Sequence, residues 1–142
     1  MDTHGNTKEL IKDLCSRLPY GVKMNHIADD EHSPKTLIGV AKDMITLEGL
    51  GGYECVDVED YKPYLFPLSS MTEEQKEELK NEISKQTDIL IERMKNDDCG
   101  IDCGKYHFHS LLELEWLLKN HFDYRGLIPK GAAIDATGLN IY

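Results

Sequence analysis

Lys35-Thr36-Leu37-Ile38-Gly39-Val40-Ala41, Met44-Ile45-Thr46-Leu47-Glu48 and Tyr53-Glu54-Cys55-Val56-Asp57-Val58, with Leu50-Gly51-Gly52 between the last two, decide the fold class. Side chains alternate across a strand, so Ile45 and Leu47 share one face and Val56 and Val58 share another. Adjacent glycines give the positive φ of a tight turn without steric cost. Upstream, residues 21–27 repeat the pattern with Val22 and Met24 on one face, and residues 28–34 are a polar loop. Downstream, residues 60–67 read as a turn and an edge strand, because Pro63 and Pro67 bring no N–H to a ladder. Several short strands with tight turns within residues 20–67 predict a small, strongly bent antiparallel sheet, either an SH3-like barrel or a curved sheet. Val22, Leu37, Val40, Ile45, Leu47, Val56 and Val58 are its expected core.

Helical periodicity flanks this stretch. Residues 7–18 place Leu10, Ile11, Leu14, Cys15 and Leu18 on one stripe, with Asn6 as N-cap, Glu9 as its box partner and Pro19 as the stop. Cys15 is then expected as a small buried hydrophobe. Residues 72–95 open with a Thr72/Gln75 capping box, and Glu73 and Glu74 suit the helix dipole. Leu79, Ile83, Leu90 and Met94 give this helix a thin apolar stripe. Residues 96–106 read as a loop. Residues 111–121 read as a third helix capped by Ser110, with Leu111, Leu114, Leu117, Leu118 and Phe122 inward and Trp116 at the border. These last two helices are expected to form a pair with Leu118 at its centre. A short turn over 125–130, a Gly131 C-cap and an extended Ala132-Ala133-Ile134 complete the tail. The predicted class is α+β: residues 1–68 as a helix plus small β-barrel, and residues 69–142 as a helical lobe packed on it.

Hydrophobic residues make up 40% of the 142, enough for a core. No apolar run approaches the ~18 residues that span a bilayer. Met1-Asp2-Thr3-His4-Gly5-Asn6 has neither a basic start nor an apolar stretch, so a cytoplasmic location is expected and no membrane partner. Cys15, Cys55, Cys99 and Cys103 then read as thiols or metal ligands. The formal net charge is −10, from 16 basic and 26 acidic residues. A phosphate backbone needs several converging Lys or Arg; none cluster here, so nucleic acid is not an expected partner. An acidic surface instead suits a basic protein partner, or plain solubility.

One constellation has metal-ligand chemistry. Cys99, Cys103, His107 and His109 place four soft or borderline donors within eleven residues, enough for tetrahedral zinc. The spacing departs from the usual zinc patterns, so an incidental Cys/His segment stands beside the zinc reading, as does a local Cys99–Cys103 disulfide. His121-Phe122-Asp123-Tyr124-Arg125-Gly126 offers a base, a carboxylate, a phenol and a guanidinium, but consecutive positions diverge. The structural expectation is that Asp123 caps the next turn, Phe122 packs and Arg125 pairs with a carboxylate. No phosphate-cradling glycine loop, G-x-S-x-G or H-E-x-x-H is present, and the chain is not expected to be an enzyme.

Two stretches carry a resemblance. One is Lys12-Asp13-Leu14-Cys15-Ser16-Arg17-Leu18-Pro19-Tyr20-Gly21-Val22 with the later Tyr61-Lys62-Pro63-Tyr64-Leu65-Phe66-Pro67-Leu68-Ser69-Ser70-Met71-Thr72-Glu73-Glu74. The other is Asn120-His121-Phe122-Asp123-Tyr124-Arg125-Gly126-Leu127-Ile128 with Lys130-Gly131 and Ala133-Ile134. Together they resemble an uncharacterised family of short acidic proteins from gut anaerobic bacteria, often encoded on prophages and mobile elements. Pro129 stands where typical relatives carry an acidic residue. The resemblance implies a genetic context and no particular chemistry. With the acidity, it leads to the expectation of a protein-binding accessory factor, in one form an inhibitor of a host enzyme.

Overall fold

Alternation along residues 21–67 produces the strands it predicts, in a computed structural model that describes residues 3–94 and 101–142, with side chains described outside positions 3–6, 90, 93–94 and 101–109. The elements run α1 (Thr3–Arg17), a 3-10 turn (Leu18–Tyr20), β1 (Lys23–His26), β2 (Lys35–Val40), β3 (Met44–Gly49), β4 (Gly52–Asp57), a second 3-10 turn (Val58–Asp60) and β5 (Tyr61–Pro67). A third 3-10 turn (Leu68–Ser70), α2 (Glu73–Met94), α3 (Ile101–Lys119), β6 (Phe122–Asp123) and β7 (Ile134–Asp135) follow. The fold is α+β.

The sheet is mixed and has seven strands, in the order β4-β3-β2-β1-β5-β6, with β7 also on β5. The first five strands pair antiparallel, while β6 and β7 join β5 in parallel through two residue pairs each. It does not close into a barrel: among the described residues β3 is the only strand that pairs with β4. The SH3-like closure expected from the sequence is therefore corrected to an open sheet. A register shift at Leu37/Gly39 bends β2 against β3.

The edge-strand reading of residues 60–67 is also corrected. Ile27 N donates to Asp60 O at 2.9 Å, so by parity Asn25–Lys62 is the hydrogen-bonded pair and Met24–Pro63 is not. The position where proline lacks its N–H thus faces away from β1. Farther along, Phe66 N donates to His121 O and Leu65 O accepts from Ala136 N. Those two groups of one peptide unit point opposite ways, so β5 is flanked on both edges. A proline excludes one hydrogen bond, not a central position.

Leu10 and Leu14 of α1 lie in one buried cluster with Val22, Met24, Leu37, Ile45, Leu47, Val58, Tyr61 and Leu65. Val40 and Val56 are half-buried against it. Burying a side chain of the Leu or Val type stabilises by about 1.5–3 kcal/mol. The buried face of α1 is Leu10-Asp13-Leu14-Arg17, and Cys15 is exposed, against expectation. The i, i+3, i+4, i+7 stripe runs through two charged residues, which rotates the helix away from Cys15. The helix also begins at Thr3, so Asn6 lies inside it and not at a cap.

The tail closes the core. Leu127 and Ala133 join the same buried cluster. Gly131 N donates to Ile128 O and Ala132 N to Leu127 O, with Gly131 at φ 76°. This is a Schellman closure, which needs the left-handed conformation that glycine adopts freely. The Tyr142 hydroxyl donates to Tyr64 O and accepts from Lys23 N, both at 2.8 Å. It fills the place of the next rung of the β1–β5 ladder.

At α2 the capping box forms: Thr72 N donates to Gln75 Oε1 and Gln75 N to Thr72 Oγ1. The helix then touches α3, although Glu78, Glu82 and Gln86 face Glu115, Trp116 and Lys119 across an open cleft of about 320 Å³. The third helix starts at Ile101, ten residues before the sequence expectation, and the predicted 96–106 loop is helical from 101 onward. Weak formers in 101–110 lower helix propensity by at most about 1 kcal/mol each, Gly104 the most, and length outweighs them. Trp116 is buried, with its ring stacked on Phe122 at 5.7 Å, while Leu111 is exposed.

Candidate interaction surface

The β2–β3–β4 meander has one covered face and one bare face. Inward, Leu37, Ile45 and Leu47 meet α1 and the core. Outward, Thr46 lies opposite Cys55, Glu48 opposite Tyr53 and Met44 opposite Asp57. Tyr53 is 73% exposed, Met44 46% and Ile38 40%, and Leu50 stands free at the hairpin tip. Thr46 Oγ1 and Cys55 Sγ meet at 3.5 Å, as expected of close, non-hydrogen-bonded partners.

The outer edge of β4 is open as well. Gly49 and Gly52 close a two-residue turn over Leu50 and Gly51, with Gly52 at φ 108°. Val58 N donates to Asp43 O at 3.2 Å. Counting back from that pair, residues 56, 54 and 52 turn their backbone groups to β3, and Tyr53, Cys55 and Asp57 turn theirs outward. Among the described residues nothing bonds the outward N–H and C=O groups of Tyr53 and Cys55. Natural edges are usually blunted by charged side chains, lysine above all, by proline or by a bulge on the edge strand. Gly52-Tyr53-Glu54-Cys55-Val56-Asp57 carries no lysine, proline or bulge, and its two charges, Glu54 on the inner face and Asp57 on the bare face, are both acidic. Its register with β3 is unbroken over six pairs. Residues 35–60 hold two basic and six acidic side chains, and one of the two bases, Lys35, is taken by an ion pair with Glu54.

The other polar groupings serve the fold. Arg17 is fully buried, with Nε on Asp13 Oδ2 at 2.6 Å and Nη2 on Phe122 O at 2.7 Å. Burial raises the Asp13 carboxyl above its ordinary value, with the Arg17 and Arg125 charges opposing. Arg125 Nε lies 3.5 Å from Asp13 Oδ1, and its guanidinium sits 4.9 Å from the Tyr124 ring centre. Asp123 accepts from Leu127 N at 2.8 Å and Ile128 N at 2.9 Å, capping the turn. Phe122 is buried, so each structural role expected for residues 121–126 is observed. His121 adopts φ 62° and stacks on Tyr142 at 3.6 Å. Burial, with Arg17 and Lys23 nearby, pushes its pKa down to about 4, so the ring is neutral at pH 7.

A cleft of about 330 Å³ between α1 and β5 is lined by Leu10, Val58, Glu59, Tyr61, Lys62 and Lys130 among others. Lys130 is already bonded to Glu9, at 2.8 and 3.0 Å. Of the expected zinc ligands, Cys99 lies outside the described residues. Cys103, His107 and His109 fall on the α3 backbone, but their side chains also lie outside what is described. The sequence reading missed both the buried Arg17–Asp13 pair and the open β4 edge. Asp13 and Arg17 at i and i+4 beside Leu10 and Leu14 carried the signal for the first, and the second depends on the strand order.

No protein-family model, no curated protein and no solved structure matches this chain.

Proposed function

We propose that this chain is a non-enzymatic, protein-binding accessory factor that engages its partner through the bare face and open edge of the β2–β4 meander. The observation that carries the reading is β4: an edge strand without lysine, proline or bulge, its charges acidic, with Tyr53 largely in solvent. Aromatic side chains are enriched at interfaces relative to the rest of the surface, and tyrosine is a frequent hot-spot residue. Edge strands recruit extended segments through main-chain hydrogen bonds. The net charge of −10 favours a basic surface on the partner. A cytoplasmic setting in a phage or mobile element, with inhibition of a host enzyme by an acidic surface, is the concrete form the resemblance suggests. In the same reading α2 and α3 form a helical pair around Leu118 that braces the sheet from the tail side.

The test is quantitative affinity capture from the native host, comparing the wild-type chain with Tyr53→Ala. A stoichiometric protein held by wild type and lost with the variant supports the reading. Equal capture by both, or no stoichiometric protein with either, removes it.

A further inference from the structure

Resting on the edge reading above, we infer that the occupant of β4 is an extended, basic segment of a partner protein, added as a new strand beside Tyr53, Cys55 and Asp57. Three observations converge. The outward backbone groups alternate at Tyr53, Cys55 and Asp57, two residues apart, which is the repeat an added strand requires. The acidic side chains of the meander flank that line: Glu48 lies opposite Tyr53, and Asp57 ends the strand. With Lys35 held by Glu54, Lys42 is the one remaining basic side chain in residues 35–60.

The same features argue against a second copy of this chain. Pairing β4 with its own symmetry mate would bring two meanders together, each holding two basic and six acidic residues, on chains that each carry −10. Like charges across a sheet pair oppose association. A segment alternating lysine or arginine with β-branched residues meets the edge differently. Its amides pair with the three outward positions. With its cations on the bare face, beside Tyr53, Glu48 and Asp57, its β-branched residues lie on the opposite face beside Val56.

The parity of the ladder supplies a selective variant. The Cys55 N–H points to solvent, so Cys55→Pro removes an outward donor and leaves every β3–β4 hydrogen bond in place. A charge variant, Glu48→Lys with Asp57→Lys, keeps the backbone donors and reverses the field.

The experiment is amide hydrogen exchange followed by NMR on the full chain, with two capped probe peptides: alternating lysine and valine, and alternating glutamate and valine. The lysine peptide at about ten times its Kd should slow exchange at the Tyr53 and Cys55 amides by about tenfold, the fraction of time the edge is covered. The glutamate peptide should not. Cys55→Pro should abolish the effect, and the double lysine variant should reverse the peptide preference. If Cys55→Pro fails to fold, the double lysine variant still decides the charge claim. Equal protection by both peptides would overturn the basic-partner inference and leave edge docking standing. Protection by neither would overturn both. Protection of Tyr53 and Cys55 without peptide, growing with protein concentration, would assign the edge to a second copy. Shifts confined to the acidic turns of α2 would show charge attraction without strand addition and also overturn the inference.

Discussion

Arg17 and Asp13 show how a charged residue comes to lie at zero exposure. Their stripe positions put them under the tail, and the pair survives there because each charge meets a partner and Arg17 also reaches the Phe122 carbonyl. Breaking a buried pair from one side leaves an uncompensated charge. Arg17→Met should therefore cost about 3–5 kcal/mol by chemical denaturation. Adding Asp13→Asn should recover part of it, whereas Lys130→Ala, which breaks the more exposed pair with Glu9, should cost under about 1 kcal/mol. His121 gives a pH effect of definite sign. Its pKa is about 4 in the folded chain and 6.5 ordinarily, so between those values the unfolded chain binds more protons. Its contribution is present above pH 6.5 and is lost as pH falls toward 4. The effect is bounded at about 3 kcal/mol, and is smaller in practice because the ring is only half-buried. Asparagine tolerates the left-handed φ at this position. Comparing His121→Asn with wild type by melting temperature at pH 4.5 and 7 should show a smaller acid loss in the variant. An equal loss would mean that the ring does not carry the effect.

At the scale of elements, periodicity located what periodicity can locate. The first five strands, the Thr72–Gln75 box and the Gly131 cap were legible because each rests on several residues or on one strong local rule. β6 and β7 were not, since two residues have no period and their pairing depends on where the chain returns. Position 116 was misplaced because the Leu114–Leu118–Phe122 line takes the centre of the stripe, while Trp116 finds its partner in Phe122 beyond the helix end. Leu118 remains a buried anchor at 5% exposure. Leu118→Ala should cost about 2–5 kcal/mol, and Glu115→Ala, on the exposed side, under about 0.5 kcal/mol. Thermal melts should separate the two variants clearly; coincident melts would place Leu118 outside the packed region. The open edge of β4 was hidden for another reason. Sequence shows which residues a strand contains, and only the strand order shows which strand is last.

For the whole molecule, charge and topology act together. The chain holds 26 acidic residues against 16 basic ones, and residues 35–60, which form most of the meander, hold six acidic against two basic. Duplex DNA at physiological salt should therefore give no mobility shift with a nanomolar midpoint. A tight, salt-sensitive shift would contradict this balance. The boundary expected near residue 68 is crossed by contacts that the core depends on: Leu127 and Ala133 sit in the cluster of α1 and β1–β5. Arg17 bonds a carbonyl 105 residues further along, and Lys23 bonds a hydroxyl 119 residues further along. Those spans also set a timetable. Translation proceeds N-terminus first, at about 5–20 residues per second, so α1 and the meander wait on the order of 5–20 s for their cover to emerge. Through that interval the stripe Leu10-Asp13-Leu14-Arg17 presents a salt pair among its leucines, and charges set within an apolar surface act as gatekeepers against premature association. The residues that lock the finished molecule should thus also slow association of the incomplete chain, and Arg17→Met should raise light scattering during refolding.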